Sequence, residues 1–174
     1  MQAGQTGHYV LSTIHTIDCI EVITRLKKMG ISSYDIASTL VTVVSQRLIR
    51  KICPKCAIKR EFTDKEIDII KKIGGKYGCE FDLKDKFTYT AKGCNFCNGT
   101  GYYERIGMFE VLEINDELKE LIMTNGTVME IRDAALRSGY KPLIVDGIHK
   151  VVDGITTLEE LNKKHGTTIV MVIH

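Results

Sequence analysis

The sequence has no tryptophan, two prolines and few aromatics, 7% in all. Neither sign of charge dominates: 24 Lys and Arg against 22 Asp and Glu leave a formal charge of +2. That balance speaks against the strong basic field of a nucleic-acid or anionic-membrane binder. A zinc-ribbon nucleic-acid module would also show a basic face with aromatics; the tyrosines here are scattered, and no nucleic-acid partner is expected. No apolar run approaches the roughly 18 residues needed to span a bilayer, and no secretory signal opens the chain. The phosphate-loop pattern Gly-x-x-x-x-Gly-Lys-Ser/Thr is missing too. Gly74-Gly75-Lys76-Tyr77 lacks its first glycine and its hydroxyl residue, and reads as a loop. What is present is 174 residues with 44% apolar content, enough for one packed domain or two small ones.

The feature around which the chain is organised is a pair of Cys-x-x-Cys knuckles, Cys53-Pro54-Lys55-Cys56 and Cys94-Asn95-Phe96-Cys97, the second running into Gly99-Thr100-Gly101. A tetrahedral zinc needs four soft donors at about 2.3 Å. Each knuckle supplies two from one tight turn, so Cys53, Cys56, Cys94 and Cys97 are the expected ligands. Four thiolates close the coordination shell, which makes the metal structural and not catalytic. Two disulfides would need an oxidising compartment, and a thioredoxin-like pair would need one such motif at a strand-to-helix turn. The second knuckle alone resembles the repeats of the J-domain co-chaperones, but the first lacks their glycines. Cys19 and Cys79 read as ordinary small side chains in a reducing cytosol.

Ahead of the knuckles, His8 to Ile14 reads as a buried strand, rich in β-formers and bounded by Gly7. Such a strand needs neighbours on both sides, so the chain looks incomplete at this end. Cys19, Val22, Ile23 and Leu26 form a helical stripe, stopped by Gly30. Ser32 or Ser33 can cap a second helix through Ile36, Leu40, Val43, Val44 and Leu48, running up to Arg50. His8 and His15 flank the first strand among Thr6, Ser12, Thr13 and Thr16. Imidazole donates in either charge state, which suits a phosphate or an activated water. Arg47 and Arg50 are open to two readings, service to a neighbouring nucleotide or a helix-end charge.

After the first knuckle, Thr63-x-x-Glu66 is a capping box for a helix with Ile67, Ile69, Ile70 and Ile73 inward, ended by Gly74, Gly75 and Gly78. Phe87 to Thr90 is a short strand candidate. Gly107 to Ile114 reads as a strand. Asn115 and Thr127 can cap helices, Pro142 suits the first turn of another, and Thr157-x-x-Glu160 is a further capping box. These helices are expected to form a small bundle around one apolar face. The tail, Thr167 to His174, is an apolar β-type run able to join a sheet edge or clasp another subunit.

Taken in order, Thr6-Gly7-His8-Tyr9-Val10-Leu11-Ser12-Thr13-Ile14-His15-Thr16, Arg25-Leu26, Met29-Gly30, Gln46-Arg47-Leu48, the four cysteines, Gly99-Thr100-Gly101-Tyr102, Arg105-x-Gly107, Asp146-Gly147 and Gly154 to Glu160 resemble the secretion ATPases. This superfamily drives type II secretion and type IV pilus assembly, and the tetracysteine resembles its assembly branch. The resemblance implies an α/β fold: the end of a RecA-like P-loop NTPase core (1–50, with the histidine box), a tetracysteine zinc-binding part (51–105) and a mainly helical C-terminal part (106–174). It implies a parent that is a cytoplasmic hexameric ring, hydrolysing ATP with Mg and working with inner-membrane platform and adaptor proteins. His8 and His15 would sense or position phosphate, and Arg105 would lie against the adenine. The chain then corresponds to the C-terminal portion of the motor, expected to be inactive alone for want of the phosphate loop. The alternative is a non-catalytic zinc scaffold or adaptor. The apolar tail departs from the family pattern.

Overall fold

A computed structural model describes residues 4, 6–163 and 167–173. Met1 and His174 therefore lie outside the described residues, and of the tail's first three residues only the backbone is considered. The elements run β1 (Val10–Ile14), α1 (Glu21–Lys28), α2 (Ser33–Thr39), β2 (Leu40–Ile52), β3 (Ala57–Arg60), α3 (Asp64–Tyr77), β4 (Thr88–Ala91), a 3-10 turn (Asn95–Cys97), β5 (Tyr102–Glu113), α4 (Asp116–Met123), α5 (Val128–Arg137), α6 (Leu143–Val152), α7 (Leu158–Leu161) and β6 (Thr167–Ile173). The fold is mixed α/β, with a four-stranded sheet ordered β1-β6-β2-β5 and a two-stranded ribbon of β3 and β4.

Two compact units emerge. One gathers residues 1–46, 109–143 and 167–174; the other gathers 47–108 and 144–166. The core of the first is built by Cys19, Val22, Ile23 and Leu26 of the α1 region, by Ile36, Leu40 and Val43, and by Leu112, Leu118, Ile122 and Ile131. The helical stripe expected from sequence is therefore the buried face of α1. In this unit Asp18 accepts from the Glu21 amide and pairs with Arg132 at 2.9 Å, fixing the start of α1 on α5. Asn115 and Thr127 cap α4 and α5 as their spacing indicates, accepting from the Leu118 and Glu130 amides.

The core of the second unit is Ile70, Ile148, Val151, Val152 and Leu158, flanked by Phe62, Ile73 and Phe81. Thr63 and Glu66 make the full capping box that starts α3. Arg60 holds Glu66 through both carboxylate oxygens, at 2.7 and 2.8 Å. That guanidinium, helped by the Thr63 amide against a smaller burial effect, lowers the Glu66 carboxyl to about 2.

Several sequence expectations change. The second helix stops at Thr39, and Leu40–Ile52 is a strand of 13 residues. Leu40, Val43 and Leu48 fit a helical stripe, but Val41-Thr42-Val43-Val44 is β-branched throughout, and a place within the sheet satisfies its backbone. Arg47 and Arg50 consequently belong to a strand and not to a helix end. The Gly74-Gly75-Lys76-Tyr77 stretch is not a loop but the last turn of α3, which ends at Gly78 in the left-handed region, φ 60°. Gly74 sits inside the helix because a Cβ there would run into the Cys79 carbonyl. Ile69 faces solvent, 45% exposed, while Ile70 is buried.

The first strand is also less buried than its composition indicates, with Tyr9 79% and Leu11 72% exposed. It is the outermost strand in the sheet order, and Val10 and Ile14 alone turn half-buried towards the core. The tail does join a sheet: β6 pairs antiparallel with β1 of the same chain, Val10 opposite Ile173 and Ile14 opposite Ile169. The helices after Asn115 do not share one apolar face; α4 and α5 pack into the first core, α6 and α7 into the second.

Candidate metal centre

The first knuckle begins where β2 ends. The Cys53 amide donates to the Gly101 carbonyl at 3.0 Å, and the Cys53 carbonyl accepts from the Ala57 amide at 3.0 Å. These bonds turn the chain so that Cys53 and Cys56 face the same way, and β3 leaves from the turn. Antiparallel pairing of β3 with β4, Ala57 opposite Ala91, returns the chain to the second knuckle. There the Cys94 carbonyl accepts from the Cys97 and Gly99 amides at 3.2 and 2.9 Å. The loop closes tightly: Gly93 has φ 92°, and any Cβ on it would strike the Gly99 carbonyl. This is the physical use of the glycines beside the second knuckle.

The four sulfurs lie within 4.8 Å of one another. Cys53 to Cys94 is 4.0 Å, Cys56 to Cys97 is 3.8 Å, and Cys94 to Cys97 is 3.8 Å. A tetrahedron with arms of about 2.3 Å has edges of about 3.8 Å. The set is therefore suited to hold one metal ion, and its all-thiolate chemistry favours a soft or borderline one. Two amides, from Cys94 and Gly101, donate to the Cys97 sulfur at 3.2 Å each. Burial pushes the Cys97 thiol up, but these amides outweigh it and bring it down to about 6. Burial, reinforced by the neighbouring thiols, pushes Cys56 up to about 12. Such N–H donors to sulfur are the outer layer that orients a thiolate site.

The same unit holds a buried carboxylate paired with an arginine, which no motif shows. Glu160 is fully buried and accepts from the Arg50 amide at 3.2 Å, from Arg50 Nε at 2.9 Å and from Arg50 Nη2 at 2.7 Å. Burial raises the Glu160 carboxyl, but the Arg50 bonds prevail and hold it at about 2. Arg50 stacks on the Tyr102 ring at 4.3 Å, and the Tyr102 hydroxyl meets Thr157 at 2.8 Å. The Thr157 capping box is half made, because Thr157 accepts the Glu160 amide while the Glu160 carboxylate is drawn to Arg50. Arg50 thus serves a partner inside its own chain.

The other expected site residues lie elsewhere. His8 and His15 sit just outside the two ends of β1, both exposed, and Thr6 Oγ1 lies 3.1 Å from His8 Nδ1. Arg105 is an exposed residue of β5. Cys19 and Cys79 are not among the four clustered cysteines; Cys19 is fully buried, and burial together with nearby Glu110 pushes its thiol up. Glu110 is the residue that the motifs missed. Only 3% exposed, it accepts from the Cys19 amide at 2.8 Å and the Leu143 amide at 2.7 Å. A carboxylate on the inward period of Met108, Leu112 and Ile114 was its one signal.

Comparison with known proteins gives the family. A family model described as "Type II/IV secretion system protein" matches residues 1–163. The chain belongs to that family. It is 36% identical over 160 residues to a type IV pilus assembly ATPase of Thermus thermophilus, covering 92% of this chain and 17% of that protein. It is 39% identical over 164 residues to a type II secretion system ATPase E of Vibrio cholerae, covering 92% of this chain and 30% of that protein. A Myxococcus xanthus pilus assembly ATPase is 37% identical over 162 residues, 92% of this chain and 28% of its own. The chain therefore spans less than a third of each of these relatives. Among the described residues, no helix is long and apolar enough to cross a membrane.

Proposed function

We propose that this chain is the zinc-stapled C-terminal portion of an ATP-driven motor that assembles a pilus or a secretion pseudopilus. The observation that carries the reading is four thiols converging on one tetrahedral point within a segment that matches the family from residue 1 to 163. The metal is zinc, held by Cys53, Cys56, Cys94 and Cys97, and its closed shell makes it structural. It ties the end of β2 to the start of β5, across the 51–105 segment. Residues 1–50 supply the end of a RecA-like core and 106–174 the C-terminal part.

In the whole protein, His8 and His15 position or sense phosphate and Arg105 lies against the adenine, with ATP and Mg supplied at a phosphate loop that these 174 residues do not contain. Positioning and charge stabilisation account for most phosphoryl-transfer catalysis, so this stretch alone does not turn over ATP. The motor is a cytoplasmic hexamer that engages inner-membrane platform and adaptor proteins. The test is made in the whole protein. Single His8→Ala and His15→Ala variants are expected to lose about tenfold or more in ATP turnover while keeping zinc content unchanged. Full turnover in both variants would overturn the phosphate role. Steady ATP hydrolysis that stays with the purified 174-residue chain through several columns would overturn the prediction that it is inactive alone.

A further inference from the structure

Charge is divided unevenly between the two units. The unit of residues 47–108 and 144–166 holds 17 Lys and Arg against 12 Asp and Glu; the other holds 7 against 10. The balance of the whole chain hides this. Part of the basic surplus lies on α3, where Lys65, Ile69, Lys72 and Lys76 recur at helical spacing and are all exposed, with exposed Asp68 at their border. Steps of four, three and four residues put them on one face, about 16 Å long at 1.5 Å per residue. Among the described residues no ion pair uses Lys65, Lys72 or Lys76. The acidic surplus also has a place. Between α4 and α5 runs an open groove of about 400 Å³ lined by Glu117, Glu120, Leu121, Glu130 and Asp133, with Arg137, paired to Glu117 at 2.6 Å, as the cation of the lining and the other three carboxylates in surplus. Met123 and Met129, 44% and 66% exposed, lie on the same two helices. Glu120 and Asp133 take part in no ion pair among the described residues.

An apolar-centred lysine stripe and an acidic groove with apolar flanks are complements in charge, chemistry and length, since α5 is 10 residues, about 15 Å. We propose that copies of this chain associate head to tail, the α3 lysine face of one copy docking in the α4–α5 groove of the next. This deepens the self-association put forward above by naming its surface, and it rests on that reading for the choice of a second copy as partner. Two different surfaces that meet make a heterologous contact, which builds rings or open chains. Opposed charged surfaces speed encounter and fix register, and their attraction fades with salt.

The test uses the full chain and two charge-reversed variants, K65E/K72E and E120K/D133K, followed by sedimentation velocity. Helix content and thermal midpoint establish that each variant is folded. The wild type is expected to self-associate at low salt and to weaken as ionic strength rises from about 0.05 M to about 0.5 M. Each variant alone is expected to be about tenfold weaker or worse, because its stripe and groove now repel. Mixing the two variants restores association, because each stripe then meets a groove of opposite sign. A wild type that associates while both variants associate equally well would overturn this surface and leave self-association standing. A wild type that stays monomeric at low salt up to ~100 μM would overturn both for this chain.

Discussion

Glu160→Gln is the substitution whose cost is best defined by the structure. Glutamine keeps the shape of the side chain but removes the charge that Arg50 grips with three donors, and it turns an amide NH2 towards a guanidinium. Breaking one partner of a buried pair leaves the other unpaired, a loss of about 3–5 kcal/mol where burial is complete. The carboxyl gives a second route. Its fall from 4.5 to about 2 corresponds to about 3 kcal/mol of stability at neutral pH. Arg50 keeps 33% of its side chain exposed, so screening trims both figures. The expected loss is about 2–3 kcal/mol, a large share of a typical domain stability. The sign with pH follows from the depressed value. Glu160 stabilises fully above pH 4.5, its ordinary value, and the contribution disappears as pH falls through about 2. The gap between wild type and Glu160→Gln in urea unfolding should therefore be full at pH 7 and close progressively below pH 4.5. A gap under about 0.5 kcal/mol at pH 7, within ordinary surface-substitution range, would refute the reasoning. So would a gap that persists unchanged at the acid end.

Other changes have equally direct outcomes. Gly93→Ala forces a Cβ onto the Gly99 carbonyl at φ 92°, and should cost at least about 2 kcal/mol in chemical unfolding and weaken metal retention. Thr63→Ala removes the side-chain half of the α3 capping box and should cost about 1 kcal/mol. Ile148→Ala empties part of a fully buried core position and should lower stability by about 2–5 kcal/mol, whereas Ile69→Ala on the exposed side of the same unit should change it by less than about 0.5 kcal/mol. A reversed order for these two isoleucine variants would contradict the assignment of the buried face.

The four-cysteine cluster and most helix starts were legible because their signals are local. Cysteine spacing brings two thiols together per turn, and Thr63, Asn115 and Thr127 announce helix starts through bonds made within three residues. Residues 40–52 misled because Leu40, Val43 and Leu48 satisfy a helical period while Val41 to Val44 satisfy a strand; the decision came from neighbouring strands far along the chain. Gly74 and Gly75 look like terminators, yet Gly74 is needed where the Cys79 carbonyl presses on the helix. The Arg50–Glu160 pair joins residues more than a hundred positions apart, and nothing near either one indicates the other. Glu160 was expected to finish a capping box, and a stronger donor took its carboxylate.

On the proposed function a single structural metal closes the two knuckles. The direct test of this is zinc content by mass spectrometry of the purified chain, with thermal unfolding before and after chelation. Binding free energy of such a site is folding free energy. One zinc per chain, and a large drop in midpoint once the metal is stripped, is the predicted result. A chain that holds no metal, or whose midpoint does not move when metal is removed, would contradict it.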